Sequence, residues 1–319
     1  MSTESTLSSL FRFGFVNAGQ LALSRAESEE LAELSRAAFR KISTESKNGI
    51  TDHPDYLSNE TRCLGLRRLP EQNIKIANYL DKIFSNQSVC EILKKLMGPD
   101  YKIWGVDYRV SEIGDEGLYL HQDAPGQVSM CIILSDNQKG CGATVFLPGS
   151  HHVTHTMKYW GIETPVLLMD LFGLFLSPIK GTVGDIGLFL NRTWHGRSRN
   201  KDKKSHDAIL IGLFPAGCSY GFDGYGDWSN KFLEQMNGRR LGVLIDPENG
   251  TQRLSNGLYK ILESKPRKET PYSLSIEQNL IKKESLPLQV SAMILLLRLV
   301  FKVGRPCIRF TKRLFKGRW

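Results

Sequence analysis

His121 and Asp123 stand two residues apart at the end of an apolar run, in "GLYLHQDAPG". Side chains at i and i+2 of a β-strand point to one face, so an imidazole and a carboxylate at this spacing can converge on one ion. A third ligand must come from another strand. The best candidate is His195 in "GDIGLFLNRTWHGRSRN", which ends a β-like run just before a turn. Two neutral imidazoles and one carboxylate on one side of a metal leave the opposite positions open. That suits non-haem Fe(II), which needs those positions for a co-substrate and for oxygen. Zinc accepts the same ligands, but a structural zinc site is closed by four protein ligands. Taken alone, a His-x-Asp pair is weak evidence, and a polar strand end at a turn is the other reading.

Ligands of this kind need a β framework, and the middle of the chain supplies one. From Tyr101, short apolar or alternating runs follow one another: "YKIWGVDYRVSEIG", "LYLHQDAPG", "QVSMCIILSD", "ATVFLPGSHH", "GDIGLFLNRTWHG" and "HDAILIGLFPAG". Gly, Pro, Asn and Asp separate most of them, which is the pattern of strands in a sandwich or barrel. A helical-looking insert near "YWGIETPVLLMDLFGLFL" interrupts the series. Before the strands, "RAESEELAELSRAAFRKI" reads as an amphipathic helix over Arg25 to Ile42, with Leu31, Leu34, Ala38 and Phe39 on one stripe. Ser24 and Glu27 complete a capping box at its start. "EQNIKIANYLDKIFSNQSVCEILKKLMG" reads as two more helices, stopped by Gly98 and Pro99. After Gly217, the aromatic and Gly-rich "CSYGFDGYGDWSNKFLEQMNG" is either a lid or a packed surface excursion.

The chain has 319 residues and 41% hydrophobic content, enough for one large core or two small ones. Its six cysteines are scattered without CxxC pairs, so neither a disulfide framework nor a zinc ribbon is indicated. A reducing compartment is the simpler reading. The N-terminus is Ser/Thr-rich and lacks the basic and apolar parts of a secretory signal, so a cytoplasmic protein is expected. The net charge of +9 is not spread evenly. Eight basic residues and no acidic one lie between Arg298 and Trp319, and without them the chain stands at about +1. The basicity therefore speaks only for the tail's partner.

That tail, "LPLQVSAMILLLRLVFKVGRPCIRFTKRLFKGRW", has an uncharged apolar core from Val290 to Leu297, much too short to span a bilayer. Beyond Pro306, Ile308, Phe310, Leu314, Phe315 and Trp319 are interleaved with cations. The composition fits an interfacial membrane anchor on anionic lipid, peripheral at the inner face of a membrane. A packed C-terminal helix with a solvated basic end is the plainer alternative. Apolar residues are too abundant for a purely phosphate-binding arm, which argues against nucleic acid.

The order is more specific than the pair. His-x-Asp, then a strand ending in "PGSH", then a distal His after a "GD" strand resembles the phytanoyl-CoA dioxygenase-like family of Fe(II)/2-oxoglutarate-dependent oxygenases. The matching pieces are "YLHQD", "GATVFLPGSHH", "GDIGLFLNRTWHG" and "HDAILIGLFPAG", from about Tyr101 to Gly217. The resemblance implies an α+β protein with a mainly β core: a double-stranded β-helix (jelly roll, cupin-like) with flanking N-terminal helices. It implies an iron site of His121, Asp123 and His195, with Fe(II), 2-oxoglutarate and O2 as cofactor and co-substrates. Related halogenases lack the triad carboxylate, so Asp123 favours hydroxylation or desaturation, with succinate and CO2 as co-products. His151 of "PGSH" would fix a turn or line the pocket; His152 and His155 have no assigned role.

One position departs from the family pattern. An Arg about ten residues beyond the distal His usually pairs with the far carboxylate of 2-oxoglutarate, and that place is taken here by His206. Arg197, two residues after His195, is the other candidate, and Arg199 a weaker one. The alternative is that Arg197 and Arg199 are solvated turn residues. Arg109 sits where family members carry a cation facing the co-substrate, or else is a surface strand residue paired with Glu112. Thr144 sits where the family strand faces the pocket, or is a packed β-branched residue.

These readings give one oxygenase domain over 1–265: helices to about 100, the β core over about 101–217, and an extension over about 218–265. A linker and the basic amphipathic tail fill 266–319. The expected function is hydroxylation of an unactivated C–H bond of a small-molecule, lipid or lipid-linked substrate. An iron-dependent β-helix enzyme without 2-oxoglutarate, or a non-catalytic membrane-tethered binding protein, are the alternatives.

Overall fold

Two residues frame the start of the chain. Ser2 accepts a hydrogen bond from Ser5 N–H at 3.2 Å and caps α1 (Thr3–Phe13). Gly14, at φ 86°, ends that helix in the left-handed region. A Cβ at Gly14 would fall 2.1 Å from Thr193 Oγ1 and 2.6 Å from His151 Nδ1, so close approach as well as conformation demands glycine. β1 (Phe15–Gly19) follows directly. The Ser/Thr-rich N-terminus thus belongs to the folded body, as a helix leading into a strand. The computed structural model describes residues 1–48, 53–58, 64–123, 127–137, 140–152, 175–214, 228–245, 251–253, 259–261 and positions 291, 292 and 295.

α2 (Arg25–Lys47) begins with the capping box expected from Ser24 and Glu27, and continues past Ile42. β2 (Tyr56–Leu57) and β3 (Gly65–Leu66) precede the short α3 (Leu69–Gln72). α4 (Ile74–Ser85) and α5 (Gln87–Met97) are the expected helix pair. Asn86 both ends the first and caps the second, accepting from Ser88 and Val89 N–H, and Gly98 ends the pair.

The strands are β4 (Lys102–Ser111), β5 (Leu118–His121), β6 (Val128–Ile133), β7 (Thr144–Phe146), β8 (Ser177–Pro178), β9 (Ile186–Leu190), β10 (His195–Arg197) and β11 (His206–Phe214). They form a seven-stranded sheet in the order β1-β9-β6-β11-β4-β3-β2 and a four-stranded sheet in the order β5-β10-β7-β8. The pairings within both sheets are antiparallel. α6 (Asn230–Met236), α7 (Arg240–Ile245) and a small ladder of β12 (Thr251–Arg253) with β13 (Tyr259–Ile261) follow.

Alternation along the strands gives the large sheet two buried faces. Val106, Tyr108 and Val110 of β4, Ile209, Ile211 and Leu213 of β11, and Met130 and Ile132 of β6 join the helices in the main core. The residues between them, Cys131, Ile133, Phe189, Ala208 and Leu210, face the other way and meet Phe146 of the small sheet in a second core. Burial on both faces is why "VSMCII" and "IGLFL" are apolar almost throughout rather than alternating. The result is a mixed helix and antiparallel-sheet architecture with a sheet-rich centre.

Of the Gly-rich stretch after Gly217, the part from Trp228 is packed: Trp228, Phe232 and Met236 are buried in the main core. The rest of it, the apolar insert after His152, His155, the linker and nearly all of the C-terminal tail lie outside the described residues. Among the described residues no helix is long and apolar enough to cross a membrane.

Candidate metal centre

β5 and β10 pair with His121 directly opposite His195, and the two rings lie 4.4 Å apart, centroid to centroid. On its other side β10 pairs with β7, which sets Phe146 opposite His195. Phe146 and Phe189, with ring centroids 6.2 and 5.1 Å from that of His195, wall in the buried imidazole.

One nitrogen of each histidine is committed to the backbone. His121 Nδ1 lies 3.0 Å from Tyr119 O, and His195 Nδ1 lies 2.8 Å from Thr193 O. A carbonyl oxygen can only accept, so Nδ1 carries the proton in both rings. The neutral ring then offers its Nε2 lone pair, the state a metal ligand requires.

Strand alternation does not place Asp123, because β5 ends at His121. Gln122 turns inward, 5% exposed, and its side-chain amide donates to Arg192 O. Asp123 is held instead by Asn191, just past β9. Its N–H donates to Asn191 O at 3.0 Å, and Asn191 Nδ2 donates to Asp123 Oδ2 at 3.0 Å. Asn191 was not singled out in the sequence; its signal is an amide at the end of the "GLFLN" run, before the turn that leads to His195.

The three side chains converge. His195 Nε2 is 3.3 Å from Asp123 Oδ2, and His121 Nε2 is 3.8 Å from Asp123 Oδ1. One ligand atom from each of the three lies within 4.8 Å of the others, and no second such group occurs among the described residues. Ligands about 2.1 Å from one ion and at right angles lie about 3 Å apart, so a small contraction brings this set onto one ion. His195 is buried while His121 and Asp123 are half-exposed, which leaves one side open. The residues therefore fit a single ion with free positions.

The "PGSH" turn serves as a support. Ser150 Oγ accepts from Trp194 N–H at 2.8 Å, next to His195. His151 Nε2 meets Phe11 O at 2.8 Å, tying the turn to α1. Burial, then the neighbouring His152, hold His151 well below the usual imidazole value, so it stays neutral.

The other sequence candidates meet in one place. Arg109, Thr144, Arg197 and His206 line a small cavity of about 50 Å³ between the sheets. Arg197 lies on β10 one strand repeat beyond His195, opposite Thr144. It is no solvated turn residue: its side chain is 14% exposed and pairs with Asp115 at 2.7 Å. Arg109 pairs with Asp107 at 2.7 Å rather than with Glu112, since Asp107 and Arg109 share a face of β4. Burial pushes the Asp107 carboxyl up, against the pull of Arg109 and Arg67. His206 Nε2 meets Asp202 Oδ2 at 2.7 Å. Arg199 is outside the cavity, half-exposed and paired with Glu116 at 2.9 Å. The carboxylate partners Asp107, Asp115 and Asp202 were not anticipated, because each is fixed by strand register or a turn.

A larger groove of about 720 Å³ lies beside α2 on the opposite face of the large sheet. Its floor is the Arg36–Asp207 pair at 2.7 Å with Tyr108, and it contains none of the triad.

No protein-family model and no curated protein matches the sequence. Solved structures do share the fold. AviO1 from Streptomyces viridochromogenes Tue57 superposes with a TM-score of 0.50 at 15% identity, over 69% of this chain and 97% of that one. EctD from S. alaskensis, solved with 2-oxoglutarate and 5-hydroxyectoine, gives 0.52 at 15% identity, over 67% and 76%. HygX from Streptomyces hygroscopicus, solved with nickel and 2-oxoglutarate, gives 0.50 at 16% identity, over 68% and 88%.

Proposed function

We propose that this chain is a non-haem Fe(II)- and 2-oxoglutarate-dependent oxygenase built on a double-stranded β-helix, and that it resembles the phytanoyl-CoA dioxygenase-like branch of those enzymes. The observation that carries the reading is the convergence of His121, Asp123 and His195, with both Nδ1 protons committed to carbonyls and one side open. Its support from known folds is that EctD has been solved with iron and with 2-oxoglutarate, and HygX with nickel and 2-oxoglutarate.

His121, Asp123 and His195 would hold the metal. When bound, iron supplies oxygen activation coupled to conversion of 2-oxoglutarate to succinate and CO2. Asn191 fixes the carboxylate, and Tyr119 and Thr193 fix the two imidazoles. Phe146 and Phe189 keep water from the back of His195. The cavity of Arg109, Thr144, Arg197 and His206 takes the far carboxylate of the co-substrate. The substrate is a small molecule, hydroxylated at an unactivated C–H bond. The basic apolar tail of the sequence favours a lipid or lipid-linked one, handled by a cytoplasmic protein peripheral at the inner face of a membrane.

That Arg109, Arg197 and His206 already face carboxylates favours one second reading, an iron enzyme of the same fold that does not use 2-oxoglutarate. Anaerobic addition of Fe(II) and then 2-oxoglutarate separates the two. A metal-to-ligand charge-transfer band, with succinate formed on admitting oxygen, is the expected result. Oxygen uptake without band or succinate supports the second reading. Neither activity in iron-loaded protein overturns both and leaves a binding protein.

A further inference from the structure

The metal-bearing end of the small sheet carries a cation that the triad does not use. His195, the first residue of β10, pairs with His121, the last of β5, and with Phe146, the last of β7. The segments after β5, after β7 and before β10 therefore leave the sheet at one end, around the triad. The last of them is a turn from Leu190 to Thr193, closed by Thr193 N–H on Leu190 O at 2.8 Å, with Asn191 and Arg192 at its centre.

The backbone of this turn is tied to its neighbours. Leu190 N–H donates to Gly14 O, Asn191 N–H to Gln127 O, and the Gln122 amide to Arg192 O. The Arg192 guanidinium, by contrast, has no hydrogen bond or ion pair among the described residues, although the residue is half-buried. Arg36, Arg68, Arg109 and Arg197 are also half-buried, and each meets a carboxylate at 2.7 Å. Arginine is rarely withdrawn from water unless it is paired, so an unpaired one calls for a partner. A backbone fixed in advance lowers the cost of ordering the side chain around that partner.

The surroundings of Arg192 offer no counter-charge. Burial first, with Arg192 among the further causes, lowers both His151 and His152 of the turn after β7, so both stay neutral. His152 is 6% exposed, and neither of its ring nitrogens makes a hydrogen bond of good geometry, although Phe11 O and Arg12 O lie near. A guanidinium fork beside a neutral imidazole suits one oxyanion, which can only accept. Arg192 does not line the small cavity of Arg197 and His206, so that oxyanion is not the far carboxylate of the co-substrate.

We infer that Arg192, with His152 beside it, is a specificity-determining residue that receives an anionic group, carboxylate or phosphate, on the substrate to be oxidised. This rests on the oxygenase reading above and narrows its substrate to a small molecule bearing an oxyanion. A lipid headgroup and a soluble acid present the same chemistry to a guanidinium.

The test is modification of individual arginines by phenylglyoxal, quantified by peptide mass spectrometry. Full-length protein is loaded with Fe(II) and saturating 2-oxoglutarate, without oxygen and at constant ionic strength. Inorganic phosphate, acetate or dodecyl phosphate is added, with dodecanol as the neutral control. Arg192 should react faster than Arg36, Arg109 and Arg197. At least one anion should slow it saturably by about tenfold or more, the worth of one charged hydrogen bond. Dodecanol should not slow it, and the 2-oxoglutarate charge-transfer band should persist. Stronger protection by dodecyl phosphate than by inorganic phosphate marks a lipid headgroup; equal protection marks a soluble acid. Broadening of the phosphorus resonance of the protecting phosphate, or of the acetate carbon resonance, should be lost in Arg192→Gln and partly kept in Arg192→Lys. An Arg192 that resists the reagent without any anion overturns the inference and leaves the oxygenase reading standing. So does a failure of every anion to protect it, or protection that tracks displacement of 2-oxoglutarate. Absence of the charge-transfer band from iron-loaded protein overturns both. The wild-type modification decides even where a variant fails to fold.

Discussion

His121 and His195 face each other across the β5–β10 ladder, and each gives its Nδ1 proton to the carbonyl two residues before it. The backbone thus sets the same tautomer twice, and antiparallel register turns two sequence-distant rings towards one point. His121→Ala or His195→Ala should therefore weaken Fe(II) binding by more than about 100-fold. Anaerobic metal titration measures this, and a folded variant with wild-type affinity rules out the triad as the binding site.

Asn191 is not one of the three converging side chains, yet it donates to the Asp123 oxygen nearest His195. Asn191→Ala leaves the backbone bonds at this position available and removes only the side-chain donor. Metal affinity should drop by about 10–100-fold, the usual cost of losing such a supporting bond. Unfolding by urea should stay cooperative, which separates the effect from collapse of the strand end.

The sequence made the triad legible because two of its ligands end apolar runs and the third is two residues from one of them. The reason offered for Asp123 was incomplete: it assumed a strand that continues, whereas Asn191 holds the carboxylate beyond the strand end. Composition identified the six strand-like runs, but β1 escaped it. "FVNAG" carries only two strand formers, Phe15 and Val16, before Asn17, Ala18 and Gly19, and its place is fixed by pairing with β9. The same limit hid Asp115 and Asp202, whose partners Arg197 and His206 are settled only when turns close.

Gly14 joins α1 to β1 where the chain passes Thr193 and His151. Gly14→Ala would impose both a left-handed backbone on a Cβ-bearing residue and a clash with Thr193. The expected loss is about 2 kcal/mol or more, read as a lower urea midpoint. An unchanged midpoint shows that the N-terminal helix is not anchored there.

Glu27 closes the α2 capping box, and its carboxyl is lowered to about 2 by Lys82 first and by Ser24 next. Its folded value lies below its unfolded one. Its contribution is therefore complete above about pH 4.5, the ordinary glutamate value, and lost as pH falls through about 2. Glu27→Gln should lower stability at neutral pH and shrink the acid-induced loss across that window. Urea midpoints at pH 7, 4 and 2.5 check the sign; a larger acid loss in the variant contradicts it.

Phe146 is fully buried and contacts Phe15, Phe189 and His195 at the junction of the two sheets. Phe84 is equally buried but belongs to the helix-side core. Truncation of either to Ala should cost about 3–5 kcal/mol. Only Phe146→Ala opens space behind a metal ligand, so only it should weaken Fe(II) binding as well. Paired measurements of urea midpoint and metal Kd on the two variants test whether the small core positions His195. Equal metal affinities at equal destabilisation would show that the Thr193 carbonyl alone suffices to hold the ring.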